Sequence, residues 1–239
     1  HTDNKWMVLY ITRWLEAPMQ VPDGRVIERD KGTPQGGVIS PVLSNLFLHY
    51  VFDVWMEKHY PMLPWCRYAD DGLVHCRTQE EAEQILEALK QRFKECGLEL
   101  HPIKTQIIYC KDGNRKGDYP KTSFEFLGYE FCVRQVKDPK QDKIFGGFTP
   151  AVSKAAKKAM CAKTRQSNWR NRTDLGLNEI ATLYNPVLRG WIEYYGCYVR
   201  SALNPVLRHF NKTLVKWAMH KYKRFRGKKT KAMLFIKEI

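Results

Sequence analysis

Two adjacent carboxylates in the middle of the chain have residue types and spacing that suit a metal-dependent site. Asp70 and Asp71 lie between two short, β-prone runs, residues 65–68 and 73–76. Asp71 is followed by Gly72, and Asp-Gly between such runs is typical of a tight hairpin turn, which would hold both carboxylates at an exposed tip. Two like charges about 4 Å apart repel by about 1 kcal/mol in water, and by more when partly buried. A divalent cation would relieve that repulsion, but an ordinary turn explains the same residues equally well.

A glycine-rich segment precedes this pair. Residues 31–41 read Lys-Gly-Thr-Pro-Gln-Gly-Gly-Val-Ile-Ser-Pro. The glycines let backbone amides approach a ligand closely. Ser40 and Pro41 predict a helix start with a hydroxyl N-cap, and the dipole of a helix N-terminus favours anions. Such a loop is weak evidence of function by itself, but its combination with a carboxylate hairpin is a strong indication.

The elements around these residues predict an α+β domain, a small antiparallel sheet with helices on one face. Apolar residues at three- and four-residue steps predict the helices, and alternating runs bounded by turn residues predict the strands. The predicted order is a helix over 1–16, a hairpin over 18–30, a long buried helix over 40–59, the carboxylate hairpin, a helix over 79–95, a strand over 98–110 and a hairpin over 124–131. A capping box at Thr78 and a stop at Gly97 bound the helix over 79–95.

The last third of the chain carries all of the net charge. Residues 1–149 hold 20 Lys and Arg against 21 Asp and Glu, whereas residues 150–239 hold 20 against 4, within an overall charge of +15. Helix-periodic aromatic residues run through this basic part, which argues against a solvated tail and predicts a surface that faces polyphosphate. We therefore predict two domains, residues 1–148 and 149–239.

The second domain is predicted to be an all-α bundle of three helices with one cationic flank. Ser153 is the expected N-cap of its first helix. The basic residues along one side of that helix are Lys154, Lys157, Lys158 and Arg165. The second helix bears an apolar stripe over 180–195, with a kink expected at Pro186, and Asn204 begins the third.

Cysteine usage and hydropathy narrow the class of protein. The seven cysteines are an odd number without a Cys-x-x-Cys pair, which argues against a disulfide framework or a zinc site and for a reducing cytoplasm. No apolar run reaches the roughly 18 residues of a membrane span, and no signal peptide is recognisable. We expect a bacterial-type cytoplasmic protein, and association with the nucleoid stays open.

Taken together, the motifs resemble those of a reverse transcriptase palm followed by a thumb, as in group II intron-encoded proteins. Gly32 to Pro41 resembles motif B, and Tyr68-Ala69-Asp70-Asp71 resembles the Y-x-D-D of motif C. The helix over 79–95, together with Lys104, resembles motif D. Residues 124–129 resemble the primer-grip motif E, and residues 177–195 resemble the thumb or maturase domain. The resemblance covers nearly the whole chain, in family order.

The resemblance implies RNA-directed DNA polymerisation. Two Mg²⁺ ions, with Mn²⁺ as a possible substitute, would stabilise the attacking and leaving oxygens of nucleotidyl transfer. Asp70 would be the shared ligand with Asp71 in support, and Tyr68 would pack under the primer end. Lys104 would neutralise or protonate the pyrophosphate, although a plain surface lysine is an equal alternative. Nucleotide or template–primer contacts are implied for Pro34, Gln35, Gly36, Gly37 and Gly128.

The implied partners are an RNA template, intron RNA, a DNA primer and dNTPs, without a membrane. The basic helices would hold the template–primer duplex through phosphates and 2′-hydroxyls. One departure concerns motif A, which supplies a further metal-binding aspartate in the family and precedes motif B. The sequence begins within the helix that would follow motif A, and Asp3 does not suit that role. We expect the fingers and motif A to be missing, and this chain alone to polymerise poorly or not at all.

Two other functions stay open. An RNA-binding maturase would fold its own intron without polymerase use, although the intact carboxylate pair favours retained catalysis. A related CRISPR-associated or antiviral reverse transcriptase would carry the same palm motifs. Neither the oligomeric state nor the choice between splicing and reverse transcription as the main role follows from the sequence.

Overall fold

A computed structural model of the protein describes residues 2–28, 31–33, 36–115, 117, 119–137 and 142–238. The chain divides into two compact units, His1–Ile107 and Ile108–Ile239. The second unit holds a sheet as well as the basic helices, so the compact units divide earlier in the chain than the predicted palm and thumb. The functional boundary between residues 148 and 149 stays a prediction.

The first unit combines helices with two short antiparallel hairpins. Its helices are α1 (Lys5–Glu16), α2 (Ser40–Leu48), α3 (Val54–His59) and α4 (Gln79–Glu95). Its strands are β1 (Met19–Gln20) paired with β2 (Val26–Ile27), and β3 (Trp65–Tyr68) paired with β4 (Asp71–Val74). The hairpin predicted over 18–30 and the helix predicted over 79–95 are confirmed.

The long helix predicted over 40–59 is present and contains a π-helical segment. Helix α2 passes into the π-helical segment His49–Asp53, which passes into α3. Ser40 is not the N-cap, since Ile39 occupies that position and Ser40 is already helical. The expected burial is confined to the C-terminal half, where Phe52 and Met56 pack against Ile85 of α4. This cluster also receives Trp65 and Val74, so it supports the β3–β4 hairpin.

Helix α4 has the predicted ends. The Thr78 hydroxyl accepts a hydrogen bond from the Glu81 backbone N–H at 3.2 Å. The Glu81 carboxylate accepts from the Arg77 N–H at 2.6 Å, one residue earlier than in a standard capping box. At the other end Gly97 takes a φ of +72°, a conformation that glycine adopts without a steric penalty.

The strand predicted over 98–110 is wrong. These residues form a turn and otherwise irregular chain, despite the β-prone Ile107, Ile108 and Tyr109. The Tyr109 N–H donates to the Lys121 carbonyl at 2.9 Å, but no ladder extends from this contact in the described residues. Strand propensity produces a strand only where a neighbouring strand offers consecutive partners.

The second unit begins with a three-stranded antiparallel sheet. Its strands are β5 (Phe124–Phe126), β6 (Tyr129–Lys137) and β7 (Ile144–Val152), in that order. The predicted hairpin around Gly128 is confirmed, and Leu127 and Gly128 have φ of +51° and +78°, as a tight turn between twisted strands requires. Helical structure was expected from Thr149 and Pro150 onward, which is wrong because both lie in β7. As an edge strand, β7 tolerates the missing N–H of proline.

Four helices follow the sheet in the described part of the chain. They are α5 (Lys154–Gln166), α6 (Leu177–Tyr195), α7 (Asn204–Lys221) and α8 (Lys229–Glu238). Helix α8 adds to the predicted bundle of three. Ser153 caps α5 as predicted, by accepting from the Ala156 N–H at 3.1 Å. Helix α6 continues through Pro186, where a kink stays a prediction.

The core of these helices is aromatic. Trp169 and Trp217 are almost completely buried. Ile180 of α6, Phe210 of α7 and Ala232 of α8 are buried in the same cluster. The predicted fold class, an α+β part followed by a helical bundle, is therefore confirmed.

Candidate active site

The carboxylate pair lies at the tip of the β3–β4 hairpin. Tyr68 pairs with Asp71, so the connecting turn consists of Ala69 and Asp70. The predicted Asp71-Gly72 turn is wrong, because both residues belong to β4. Ala69 has a φ of +52°. An alanine in this left-handed region costs about 1 kcal/mol, so contacts elsewhere in the hairpin must hold the turn.

Both carboxylates are exposed and available to a ligand. Asp70 and Asp71 are exposed, and neither side chain makes a hydrogen bond or ion pair with any residue that the structure describes. Tyr68 is 63% exposed. Directly paired residues project from the same side of a hairpin, so Tyr68 and Asp71 share one face. The tip therefore presents the Tyr68 phenol and the Asp71 carboxylate on one face, beside the exposed turn residue Asp70.

The donor chemistry fits Mg²⁺ or Mn²⁺ but the donor set is incomplete. Hard cations prefer carboxylate oxygens, and Mg²⁺ is commonly held by one or two carboxylates together with substrate phosphates and water. Among residues 2–238, apart from the gaps given above, no group of three His, Cys, Asp or Glu side chains is placed to hold a metal ion. Asp70 and Asp71 would therefore supply only part of the ligands that a metal ion needs.

A largely buried ion pair lies behind the turn. The Arg67 side chain is 12% exposed and that of Asp53, in the π-helical segment, is 14% exposed. Arg67 Nε and Nη2 donate to the two carboxylate oxygens of Asp53, each at 2.6 Å. Arg67 Nη1 donates to Asn45 Oδ1 at 2.9 Å and to the Ala69 carbonyl at 2.8 Å. The guanidinium thus joins the long helix to the turn that carries Asp70.

Sequence reasoning missed Asp53 and Arg67, although a signal was present. Alternation along β3 places Trp65 and Arg67 on the inner side, and a charge on an inner face requires a partner. Asp53 follows the two buried residues Val51 and Phe52 on the facing helix. An inward arginine beside an acidic residue in an apolar helix predicts such a pair.

The environment of Asp53 favours its ionised form. Burial opposes the charge, but hydrogen bonds from Arg67 and His49, together with attraction to both groups, lower its pKa below the ordinary value of 3.8. The hydrogen bonds that Arg67 donates to Asp53 raise the pKa of Arg67 in turn, against the effect of burial. The pair is therefore charged throughout the physiological pH range.

We expect Asp53→Asn to lower the unfolding free energy at neutral pH, because it leaves the Arg67 charge without its partner. A carboxyl with a lowered folded-state pKa stabilises the protein above its unfolded pKa, and that contribution is lost as pH falls through the folded pKa. The stability difference from wild type should therefore be constant from about pH 7 to 5 and shrink below about pH 4. Denaturant unfolding at several pH values measures it. Glu57→Gln, an exposed change on α3, is the control, and a pH-independent difference would contradict the prediction.

The described part of the glycine-rich segment leads into α2. Gly36 has a φ of +86°, and an added Cβ would meet nothing within 4 Å, so the space beside this backbone is open. The Gly37 carbonyl accepts from the Ser40 N–H at 3.2 Å. The other two predicted contacts in this segment, Pro34 and Gln35, lie outside the described residues.

Lys104 lies on an exposed turn after α4. Its backbone N–H donates to His101 Nδ1 at 3.3 Å. Its ammonium group makes no hydrogen bond or ion pair with the residues for which coordinates are given. The structure therefore leaves Lys104 free for a ligand without linking it to Asp70 or Asp71.

Gly128 lies against the thumb-like helix α6 in the second unit. A Cβ at Gly128 would come within 2.8 Å of the Tyr195 hydroxyl, so only glycine fits here. The Tyr194 hydroxyl donates to the Leu127 carbonyl at 2.9 Å, and the Tyr129 hydroxyl donates to the Tyr194 carbonyl. Burial and the neighbouring tyrosines raise the pKa of Tyr129 to about 12. Tyrosines thus join the β5–β6 turn to the C-terminal end of α6.

Basic side chains of two helices, α5 and α7, act on one region. Lys154, Lys158 and Arg165 of α5 are exposed, and Lys157 is half-buried. His209 of α7 has a lowered pKa, first because of burial and then because of the positive charges of Arg165, Lys216 and Lys212. The cations of α5 and α7 therefore influence the same part of the second unit.

Two further findings concern the cysteines and the helices. All seven cysteines are free thiols. Among the described residues, no helix combines the length and apolarity that crossing a bilayer requires.

Comparison with known families defines the class of protein. The family model for reverse transcriptase (RNA-dependent DNA polymerase) matches residues 2–131, and the model for the group II intron, maturase-specific domain matches residues 157–234. The first match alone covers more than half of the chain. The chain therefore belongs to the reverse transcriptase family and continues into a group II intron maturase-specific domain, as the motifs predicted.

Two curated relatives are similar to the chain at low identity. Protein YkfC of Escherichia coli (strain K12) is 28% identical over an alignment of 138 residues that covers 44% of this chain and 33% of YkfC. Group II intron-encoded protein LtrA of Lactococcus lactis subsp. cremoris is 25% identical over an alignment of 248 residues, gaps included, that covers 69% of this chain and 39% of LtrA. The matches thus span well under half the length of either relative.

Proposed function

We propose that this chain supplies the palm, from motif B onward, and the thumb of an RNA-directed DNA polymerase of group II intron type, with a role in splicing its intron RNA. One observation carries the proposal. Asp70 and Asp71 are exposed, have no partner among the described residues and lie at the tip of a hairpin with a two-residue turn, in a chain of the reverse transcriptase family. The functional division that we propose is residues 1–148 for the palm and 149–239 for the thumb.

The exposed tip supports nucleotidyl transfer. Asp70 and Asp71 would hold Mg²⁺, or Mn²⁺ in its place, and the bound metal would stabilise charge on the attacking and leaving oxygens. Tyr68, exposed beside Asp71, would pack against the primer end. Gly36 leaves open backbone for a nucleotide or template, a role that we also propose for Gly37, Pro34 and Gln35.

Lys104 and Gly128 have supporting roles in the proposal. The Lys104 ammonium group has no protein partner in the described chain and would neutralise or protonate the pyrophosphate. The turn at Gly128 would contact the primer strand while α6 holds it from behind. Since the described residues provide only two of the carboxylates that such a site needs, we propose that this chain alone polymerises poorly.

Primer extension tests the polymerase proposal. The full-length protein, meaning this chain together with the fingers and motif A that the proposal requires, is given a DNA primer on an RNA template with dNTPs and Mg²⁺, and DNA synthesis is compared with that of its Asp70→Asn variant. Extension by the wild type that is lost in the variant supports the proposal. Synthesis that the variant retains, or its absence in the wild type with either metal, overturns it.

A maturase role is favoured by a separate observation, the basic face of α5 and α7 within the matched maturase-specific domain. RNA would bind there mainly through phosphates, with duplex shape rather than base identity deciding the contact. The same domain favours a group II intron setting over a CRISPR-associated or antiviral one. Free thiols fit a reducing cytoplasm, which we propose as the location.

We expect neutralisation of Lys154, Lys158 and Arg165, each to Gln, to weaken binding of structured RNA and to flatten its salt dependence. Each phosphate contact contributes about one unit to the slope of log K against log salt, so the slope should fall by up to about 3. Filter binding or fluorescence anisotropy across a salt series measures it.

The matched control removes the same charge elsewhere. Lys58, Lys90 and Lys94 are exposed lysines of the first unit, where 15 acidic residues outnumber 12 basic ones. Their combined change to Gln should leave the slope within about one unit of wild type. An equal loss in both triple variants would mean that net charge alone, and not the α5 face, governs RNA binding.

A further inference from the structure

We propose that Arg67 is a positioning residue that fixes the peptide bond leading into Asp70. The proposal rests on the proposed function, since it assigns a role within the same site. Arg67 does not face the ligand side of the hairpin. It acts from behind, through the Ala69 carbonyl and through two residues of the long helix.

The contact with the turn is made at the peptide that carries the key residue. Arg67 Nη1 donates to the Ala69 carbonyl at 2.8 Å, and the carbon of that carbonyl is bonded to the Asp70 nitrogen. Because a peptide is planar, fixing its oxygen also fixes the direction in which the Asp70 backbone leaves the turn. Ala69 has a φ of +52°, which an alanine leaves readily unless it is held. Arg67 supplies that restraint.

The guanidinium is itself held in one orientation. Two parallel N–H···O bonds, both 2.6 Å, join it to Asp53, and Nη1 also reaches Asn45 Oδ1 at 2.9 Å. A bidentate pair fixes the plane of the guanidinium as well as its position, whereas a lysine ammonium would make a point contact without an orientation. The low exposure of both side chains keeps water from competing for these bonds.

The helical segment that contains Asp53 is itself held by α4. Asp53 is the last residue of the π-helical segment His49–Asp53, and such segments recur at functional sites because they shift the residues that follow by one position. Arg92 of α4 donates to the Val51 and Tyr50 carbonyls in the same segment, at 3.2 and 3.3 Å. The connection thus runs from α4 through the π-helical segment and Arg67 to the Asp70 peptide.

The experiment uses Arg67→Lys in the full-length protein. Lysine keeps the positive charge but cannot make the two parallel hydrogen bonds of a guanidinium group. We expect kcat for primer extension to fall about tenfold or more, while KM for dNTP changes less than about threefold, since the defect lies in the geometry of the reacting groups. Amide hydrogen exchange at residues 69–71 should become faster. This second readout does not depend on activity.

Arg134→Lys is the matched control. Arg134 likewise pairs with a carboxylate, Glu130 at 2.9 Å, and donates to a main-chain oxygen, that of Thr149 at 2.7 Å, but in the sheet of the second unit. Its replacement should leave kcat and the exchange of residues 69–71 at wild-type values. Equal losses in both variants would show a general loss of stability and overturn the positioning role.

The outcomes separate this proposal from the one on which it rests. Wild-type protein without primer extension would defeat the polymerase function, and hydrogen exchange would still decide whether Arg67 orders the turn. Unchanged kcat and unchanged exchange in Arg67→Lys would overturn the role of Arg67 alone. Should Arg67→Lys fail to fold, Asn45→Ala removes one bond to the same nitrogen, and faster exchange at residues 69–71 is expected. Wild-type exchange in Asn45→Ala would then overturn the proposal.

Discussion

Asp70→Asn is expected to lower kcat for primer extension on RNA by about a thousandfold or more. The substitution keeps the size and shape of the side chain, but an amide presents one neutral oxygen where a carboxylate presents two charged ones. A cation that stabilises transition-state charge by several kcal/mol is then held weakly. Because the Asp70 side chain is exposed and makes no hydrogen bond or ion pair with the described residues, folding stability should not change.

Single-turnover primer extension at several Mg²⁺ and Mn²⁺ concentrations measures this effect. Asp71→Asn should lose less activity than Asp70→Asn if Asp70 is the shared ligand. Asp23→Asn is the control, since Asp23 forms an ion pair with Arg25 on an exposed turn. RNA affinity should be unchanged in all three variants. Wild-type rates in Asp70→Asn would exclude the hairpin as the catalytic centre.

Gly128→Ala is expected to lower the unfolding free energy of the second unit by about 3 kcal/mol. Residue 128 has a φ of +78°, and an alanine in this conformation costs about 1–2 kcal/mol. It would also come within 2.8 Å of the Tyr195 hydroxyl, and relief of such a clash costs about 1–3 kcal/mol. Denaturant unfolding followed by tryptophan fluorescence measures the sum.

Two variants separate the backbone effect from the clash. Gly227 has a φ of +72° with nothing within 4 Å of an added Cβ, so Gly227→Ala should show the backbone cost alone, about 1 kcal/mol. In the Tyr195→Phe background the nearest atom to the methyl group becomes a ring carbon at 3.1 Å, so Gly128→Ala should cost less there than in wild type. Equal losses of unfolding free energy in Gly128→Ala and Gly227→Ala would show that a methyl group at residue 128 does not clash with Tyr195 of α6.

Local signals in the sequence located most of the helices and three hairpins. Thr78 and Ser153 cap their helices as expected, because a hydroxyl and an N–H three residues later are neighbours in any such helix start. The strand expected at 98–110 failed for the opposite reason. Its β-prone residues have no partner strand in the described chain, and β7 was missed because Gly146, Gly147 and Pro150 look like loop residues.

The sequence predicted a hairpin that carries two carboxylates, but it did not predict which residues form the turn or what holds the turn in place. Tyr68, Asp70 and Asp71 were identified correctly as a hairpin tip, yet the turn was displaced by two residues. Asp-Gly is the commoner turn pair, and only the pairing of β3 with β4 places Ala69 and Asp70 at the bend. The restraint that this unfavourable turn requires comes from Arg67, whose partner Asp53 is 14 residues away.

What the sequence alone determined is the family, the carboxylate pair and the concentration of positive charge after residue 150, since each is a matter of residue types in order along the chain. The tertiary structure decided which residues hold those groups in place. The Arg67–Asp53 pair and the bond from Tyr194 to the Leu127 carbonyl, 67 residues apart, depend on how separate elements pack. Contacts between distant segments leave no periodic pattern in the sequence, so only the folded chain reveals them.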